Sequence, residues 1–381
     1  MNNTTKTAEN NKSVVSIFAE MTDQRKPKGV RYQFQPLLIL LSLAKLCAQD
    51  TPSEISDWAK NRQDLLKEKL DLDWKRMPSQ STWQRLIGGN IDAAEFDKKV
   101  GEYFQTLSSA ERQLYNLDGK VVCGTVDKET SEQLYLLALQ ERETNLVIEQ
   151  TEIKRGENEI TGAKRLLERA ELSKKIVLGD AIFAQQELSR KVVLGGGEYL
   201  WKLRANQGAI YKLAKEHFEK LSDRYLDRAS SLEKGHGRID EREIITSFRL
   251  AGQIEFPYLE QVFKITRWSQ EVKTGRRTEQ TIYGITSGSV EEFSAEELLR
   301  LTRNHWGIEN GLHYRRDVTF KEDACRQTSK KGGRVLAVLN NLTIGILRKI
   351  GWENIAKARR YYNALIDKAL SLIMTPLDCR L

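Results

Sequence analysis

The sequence has few cysteines and few histidines, and neither type is grouped. Four of each occur in 381 residues. The cysteines are far apart along the chain, at Cys47, Cys123, Cys325 and Cys379. No Cys/His cluster has the spacing of a zinc finger, which excludes a structural zinc site of that kind. The scattered thiols fit a reducing cytoplasm, where disulfides are rare.

Long apolar runs are also lacking. The longest, PLLILLSLAKLCA at residues 36–48, contains Lys45 and is shorter than the roughly 20 residues that a membrane-spanning helix needs. The N-terminal sequence MNNTTKTAENNKS has no apolar signal core. We therefore expect a soluble protein that is not secreted and has no membrane partner.

Positive charge is in excess. Lys and Arg total 61 against 53 Asp and Glu, so the net charge is +8 and the isoelectric point is near 9.1. Such a balance favours polyanionic partners such as nucleic acid or an anionic membrane surface, although many basic proteins bind neither. The length allows two or three domains, each with its own core.

The first part of the chain is predicted to be mainly helical. Residues 1–13 are polar and are expected to form a disordered tail, and residues 14–110 a helical domain. TPSE at residues 51–54 has the spacing of a capping box with proline at the first helical position. STWQRLI at residues 81–87 predicts a further short helix.

The hydrophobic period changes in residues 111–205. YNLDGKVVCGTV, EQLYLLALQ and TNLVIEQTEI predict three strands of an antiparallel meander. Helix, strand, helix and strand follow in ITGAKRLLERAEL, KKIVLGDAIF, AQQELSRKVV and EYLWKLRAN. This β-β-β-α-β-α-β order predicts an α+β or α/β fold, a mixed sheet with flanking helices as in a ribonuclease H-like core.

The alternation stops at residues 206–293, which we interpret as a mostly β insertion. A charged helix is predicted over residues 211–229, and strands over EREIITSFRL, LEQVFKITRW and EQTIYGITS. Residues 294–350 return to the core with a second capping box, which opens the helix SAEELLRLTRNHWGIENGLHYRR, and with the apolar helix RVLAVLNNLTIGILRKI. Residues 351–381 are interpreted as a C-terminal tail.

Two aspartates are placed for metal chemistry. Asp118 lies in the first predicted strand, and Asp180 ends a strand whose preceding residues are apolar. Carboxylates that converge at the edge of a buried sheet repel one another unless cations lie between them, which indicates Mg²⁺ or Mn²⁺. The alternative makes Asp118 a turn residue of LDGK and Asp180 a helix cap. The pattern alone does not separate the two.

A third acid lies in RNHWGIENGLHYRR. Four residues spaced by four, four and three share one helical face: His305, Glu309, His313 and Arg316. One interpretation is an acidic ligand flanked by cationic groups. A second is an exposed polar face with Trp306 and Ile308 in the core, and a third is a zinc site formed by the two histidines and the glutamate.

Two basic stretches are candidate phosphate contacts. One is a loop that contains Arg326, Lys330, Lys331 and Arg334, and the other lies near the N-terminus and contains Arg25, Lys26, Lys28 and Arg31. Charge runs are usually only solvated, so neither stretch identifies a nucleic-acid surface alone.

The sequence resembles the DDE transposases of bacterial insertion sequences, in particular the H-repeat-associated (ISAs-type) group, and the similarity is collinear over most of the chain. It is carried by DQRKPKGVRY, PSQSTWQRLI, LDGK, ENEI, VLGDAIFAQQ, YLWKLRANQ, HGRID and HWGIENGLHYRRDVTFKEDACR. The last of these fragments is long and specific.

The resemblance implies that Asp118, Asp180 and Glu309 bind two Mg²⁺ (or Mn²⁺) ions. These would drive hydrolysis at transposon ends and then attack of the 3′-hydroxyl on target DNA. It also implies double-stranded DNA partners, a homodimer in a synaptic complex, and a bacterial cytoplasmic location at the nucleoid. The N-terminal helices, with Trp83 and Arg85, are candidates for recognising the terminal repeats, although for Trp83 a position in the core is the favoured interpretation.

The sequence departs from the wider superfamily at several places. The signature Tyr-x-x-Arg-x-x-x-Glu-x-x-x-x-x-x-Lys reads here as Thr302, His305, Glu309 and Arg316. Arg316 keeps a positive charge for a DNA phosphate, although Arg and Lys differ in geometry. Arg204 is a similar candidate, since relatives tend to carry a lysine nearby. Asp127 is a rival to Asp118 as the first ligand.

Two other functions fit the same residues. A transposase-derived protein that only binds DNA would keep the basic surfaces, while its metal site would decay. A ribonuclease H-like nuclease would cut DNA and never join it. Metal-dependent cleavage and strand transfer distinguish the three.

Overall fold

The computed structural model describes residues 12–28, 30–108, 111–126, 132–205, 208–220, 226–235, 237–305, 315–324 and 329–377. The chain forms two compact units. The first consists of Met1–Ser108, Gly119–Ile153 and Asn310–Leu381, and the second of Ser109–Asp118 and Lys154–Glu309.

The elements alternate between helical and strand-rich regions. The first helices are α1 (Val14–Ala19), α2 (Phe34–Leu46), α3 (Pro52–Asn61), α4 (Gln63–Leu70), α5 (Gln80–Arg85) and α6 (Ala93–Leu107). They are followed by β1 (Gln113–Val126), β2 (Gln133–Glu141), β3 (Val147–Glu152), α7 (Glu159–Arg169), β4 (Lys175–Gly179), α8 (Gln186–Leu194) and β5 (Glu198–Leu203). The remaining elements are α9 (Gly208–Lys220), β6 (Asp227–Gly235), β7 (Arg238–Ser247), β8 (Gln261–Glu271), β9 (Arg277–Thr286), α10 (Ala295–His305), α11 (Lys330–Lys349), α12 (Ile355–Ala364) and α13 (Ile366–Met374).

The first unit is mainly helical. α2 is buried along most of its length because its residues are almost all apolar. The predicted capping box is confirmed at α3, where the Thr51 hydroxyl accepts from the Glu54 N–H and the Glu54 carboxylate accepts from the Thr51 N–H. α6 packs against β3 and α11, and β2 lies between β1 and β3. Within the described residues, no helix has both the length and the apolar character to cross a membrane.

The second unit is built on a mixed sheet in the order β1–β4–β5–β9–β8–β7–β6. β1, β4 and β5 are parallel, and the pairs from β5 to β6 are antiparallel. Every residue of β4, KIVLG, is buried, as is typical of a parallel strand that is covered on both faces. A core cluster that includes Leu178, Phe263 and Leu298 packs α10 onto the sheet.

The predicted β-β-β-α-β-α-β order of residues 111–205 is confirmed, and so is a mixed α+β architecture. The helix predicted over residues 211–229 is wrong at its end, because α9 ends at Lys220 and β6 begins at Asp227. β6 was missed because its sequence, DRASSLEKG, is polar and has little strand propensity. β6 is a strand because it pairs with β7, from Asp227 with Thr246 to Gly235 with Arg238.

The strands predicted as an insertion continue the sheet of the second unit, since β9 pairs antiparallel with β5. The segment predicted as a C-terminal tail contains α12 and α13. The predicted domain boundaries stay predictions.

Candidate active site

Asp118 and Asp180 lie on neighbouring strands of the second unit. The last registered pair of the parallel strands β1 and β4 joins Leu117 to Gly179, and each aspartate is the next residue. Equivalent residues of strands in register point to the same face. Asp118 and Asp180 therefore occupy neighbouring positions where β4 ends, the edge at which parallel sheets bind ligands. Their predicted strand positions are confirmed.

The local sequence accounts for this placement. Leu117 and Gly179 are buried, and a Cβ at Gly179 would lie 2.8 Å from both Phe183 and Trp201. Asp180 continues in extended conformation, with φ −68° and ψ 170°, and its side chain makes no capping hydrogen bond to the turn that follows. Asp118 lies inside a strand. Asp180 therefore does not act as a helix cap, and Asp118 is not a turn residue.

Two cations face the Asp180 carboxylate. Lys202 Nζ donates to Asp180 Oδ1 at 3.0 Å, and Arg204 Nη2 lies 3.8 Å from Asp180 Oδ2. The Arg204 side chain is 70% exposed, as a phosphate contact requires. Lys202 was not predicted. Strand alternation could have found it, because residues two apart on a strand share a face and Arg204 was already a candidate.

Glu159, the first residue of α7, is a further acid near this edge. Burial raises the pKa of the Glu159 carboxyl, and the negative charge of Asp180 raises it further. The helix begins here because the Asn158 side chain accepts from the Thr161 N–H. The carboxyl of Glu159, in the ENEI fragment, thus feels the charge of Asp180.

Several predicted residues lie outside the described part of the chain: Glu309, His313, Arg326 and the rival Asp127. His305 is described only as the last residue of α10. The predicted third ligand and the alternative zinc site therefore both remain predictions. Among the residues that the structure describes, no group of three or more His, Cys, Asp or Glu side chains could hold a metal ion.

In the first unit, the lysine of LDGK is held by two acids. Lys120 Nζ lies 2.6 Å from Asp317 Oδ1 and 3.9 Å from Asp323 Oδ2, and the Lys120 side chain is 8% exposed. The Cys123 N–H also donates to Asp323 Oδ1 at 3.1 Å. These contacts attach the DVTFKED segment to the second half of β1.

The predicted DNA contact of Arg316 is contradicted by its burial. The Arg316 side chain is 1% exposed, and its Nε and Nη2 atoms donate to Glu322 at 2.6 and 3.0 Å. Asn340 Nδ2 donates to the same carboxylate at 3.3 Å. A guanidinium inside the first unit cannot reach a phosphate, so we assign it to the fold.

The basic loop was predicted too long, because α11 begins at Lys330 and contains three of its residues, Lys330, Lys331 and Arg334. Their surroundings differ. Lys330 Nζ lies 3.0 Å from Glu132 Oε2, and Arg334 Nε lies 2.9 Å from Asp97 Oδ2. Lys331 is exposed. Near the N-terminus, three further basic residues are exposed: Lys26, Lys28 and Arg31. Lys331, in the first turn of α11, is thus the one of these residues best placed for a phosphate.

Trp83 is a core residue. Its side chain is fully buried, so it cannot read a DNA base, and this contradicts its candidacy for end recognition. Arg85, two residues later on α5, is exposed and keeps its candidacy.

Two protein-family models match this chain. A model described as the transposase DDE domain matches residues 127–344, more than half of the chain, and a model described as DDE_Tnp_1-associated matches residues 15–104. The chain therefore belongs to the DDE transposase family. The match includes Asp180 and Glu309 and begins after Asp118.

Curated relatives are similar to this chain over nearly its whole length. The Escherichia coli K12 protein named "H repeat-associated putative transposase YhhI" is 25% identical over 367 residues, which cover 94% of this chain and 96% of that protein. "Putative protein YbfL" from the same strain is 26% identical with the same coverage. "Putative transposase YncI" of Escherichia coli O157:H7 is 25% identical over 88% of this chain and 87% of its own length.

Proposed function

We propose that this chain is a DNA transposase in which Asp118, Asp180 and Glu309 bind two Mg²⁺ or Mn²⁺ ions to cut transposon ends and join them to target DNA. The observation that carries the proposal is that Asp118 and Asp180 each directly follow the last registered pair of the parallel strands β1 and β4. The element order supports a ribonuclease H-like catalytic core. Family membership supports the transposase class.

The side chains at this edge fit a magnesium or manganese site. Carboxylate oxygens are the ligands that these hard cations take. The Asp180 side chain is 42% exposed and so can be reached from solvent, and Asp118 is half-buried. The Asp180 carboxylate already pairs with one cation, the Lys202 ammonium. Glu309 would complete the oxygen donors.

Paired ions of this kind supply activation of the attacking oxygen and stabilisation of the leaving oxygen in an in-line phosphoryl displacement. The chain's own contribution is orientation. The paired strands fix Asp118 and Asp180, and Arg204 is exposed beside them to hold a DNA phosphate. Water attacks in the cutting step and the 3′-hydroxyl in the joining step, so no protein nucleophile is needed.

The proposed partners are the terminal repeats, the target DNA and a second copy of the chain. The net charge of +8 favours DNA, and exposed cations such as Lys331, Arg31 and Arg85 are available for it in the first unit. Cutting two ends together requires a synaptic complex, which we propose contains a homodimer.

The first experiment measures cleavage of a duplex that carries the element's end, taken from the DNA that flanks the gene. Full-length protein should cut it only with Mg²⁺ or Mn²⁺. Asp180→Asn should bind the duplex and not cut it. Glu168→Gln is the matched control, because Glu168 is 48% exposed and pairs with Lys191 at 2.8 Å. Normal cutting by Asp180→Asn would contradict the proposal.

The second experiment supplies pre-cut 3′-hydroxyl ends and a plasmid. Joined products are expected with wild type and not with Asp180→Asn. Cutting without joining would make the protein a nuclease, and duplex binding without either reaction would make it a DNA-binding protein derived from a transposase.

A further inference from the structure

Lys202 contacts the carboxylate of Asp180, one of the three proposed metal ligands. Gly179 and Trp201 form the last registered pair of β4 and β5, so Asp180 and Lys202 are the next residues of neighbouring parallel strands. The Lys202 ammonium lies 3.0 Å from Asp180 Oδ1. The ion pair is therefore built into the strand register and does not depend on a chance surface contact.

The lysine stem is anchored on the apolar face of the sheet. A small space next to it is lined by Leu178, Leu200, Phe263 and Ile265. The Lys202 side chain is only 18% exposed, whereas Arg204 is 70% exposed and lies farther from the carboxylate. A lysine can bury its methylene stem and still direct its ammonium to a polar edge. Lys202 is thus the cation that the fold holds against Asp180.

An ammonium and a divalent ion that approach the same carboxylate oxygen compete for it. Their like charges repel, and the oxygen that accepts from Lys202 is a donor that the ion would use. We propose that Lys202 is the resident counter-ion of Asp180, which competes with the divalent metal and must move off Oδ1 when the metal binds. This inference rests on the proposed function.

The displaced ammonium can then pair with an anion of the substrate. A DNA phosphate is the anion that the proposed substrate brings, and lysine binds phosphate as a compact point charge. Metal and DNA should therefore each favour binding of the other, because both draw Lys202 away from Asp180. Lys202 is a positioning residue in this scheme, since it acts on the site through Asp180.

The test measures Mn²⁺ affinity of the full-length protein by the electron paramagnetic resonance signal of unbound Mn²⁺. Lys202→Met removes the competing charge and should tighten Mn²⁺ binding about three- to tenfold. Lys202→Arg keeps the charge and should bind as wild type does. Lys191→Met removes the similar pair with Glu168, at 2.8 Å, and should change nothing.

Unchanged or weaker Mn²⁺ binding by folded Lys202→Met would overturn the proposal. If Lys202→Met does not fold, Lys202→Gln provides the same test, because its amide can donate to Asp180 without a charge. Asp180→Asn distinguishes failure of the proposed metal site from failure of the proposed competition by Lys202. If it leaves Mn²⁺ binding intact, the proposed metal site fails, and if it abolishes binding while Lys202→Met changes nothing, only the competition fails.

A second arm adds a short DNA duplex. The duplex should tighten Mn²⁺ binding to wild type and should do so less for Lys202→Met. An equal effect of the duplex on both proteins would overturn the coupling through Lys202.

Discussion

Two carboxylate–cation pairs in this chain have similar lengths and different surroundings. In the first unit, Arg316 Nε lies 2.6 Å from Glu322 Oε2, and the two side chains are 1% and 3% exposed. In the second, Lys202 Nζ lies 3.0 Å from Asp180 Oδ1, with side chains 18% and 42% exposed. Burial, more than distance, distinguishes a pair that holds the fold from a pair whose partners can exchange.

The physical reason is the cost of an unpaired charge. Loss of one partner from a buried pair leaves a charge without water or counter-ion, which is strongly unfavourable. At the open end of a strand, water or a metal ion can replace the lost partner, so the pair contributes little to stability. The first arrangement suits structure and the second suits a ligand site.

The largest effect is expected from Arg316→Ala. It should lower the free energy of unfolding by about 3–5 kcal/mol, because it leaves the Glu322 carboxylate buried and unpaired. Chemical denaturation measures this. The double variant Arg316→Met with Glu322→Leu should recover much of the loss, since it removes both charges. A loss below about 1 kcal/mol in the single variant would remove the distinction between the two pairs.

Gly179→Ala should come next, with a loss of about 1–3 kcal/mol from overpacking. The added Cβ would meet Phe183 and Trp201 at 2.8 Å, directly before Asp180. Gly89→Ala is the control, because a Cβ there meets nothing within 4 Å. Equal thermal stability of the two variants would show that the strand end is not tightly packed.

Lys202→Met should change the free energy of unfolding by less than about 1 kcal/mol, since its pair with Asp180 is partly exposed. The same denaturation series measures it beside Arg316→Ala. A loss as large as that of Arg316→Ala would make Lys202 a structural residue and would oppose its role at the metal site.

The smallest effect is expected from Lys331→Ala, which should weaken DNA binding a few-fold and reduce the salt dependence by about one unit of slope. Fluorescence anisotropy over a range of salt concentrations measures both. For folded Arg316→Met, the slope should stay that of wild type, because the buried guanidinium meets no phosphate. A reduced slope for that variant would restore Arg316 as a DNA contact.

Much of the core could be predicted from the sequence because local pattern and environment agree there. KIVLG is apolar throughout and forms a buried parallel strand, and the acid that follows it lies at the strand end. The capping box at Thr51 depends on residues three apart. Asp118 and Asp180 could be predicted as candidate ligands for the same reason, because their positions follow from local strand patterns.

Features that depend on partners distant in sequence could not be predicted. β6 has a polar sequence and is a strand because β7 pairs with it. Arg316 has the charge of a DNA contact, and only the fold shows that Glu322 and Asn340 enclose it. Strand alternation puts Lys202 on the same face as Arg204, but its contact with Asp180 depends on the register of β4 and β5.

The central claim is that Asp118 and Asp180 hold the same metal ion. Mn²⁺ affinity of Asp118→Asn, Asp180→Asn and the double variant tests it most directly. Each single variant should weaken binding by at least about tenfold, and the double variant by much less than the product of the two, because one shared ion is lost only once. Binding that survives unchanged in Asp118→Asn and is lost in Asp180→Asn would contradict the claim.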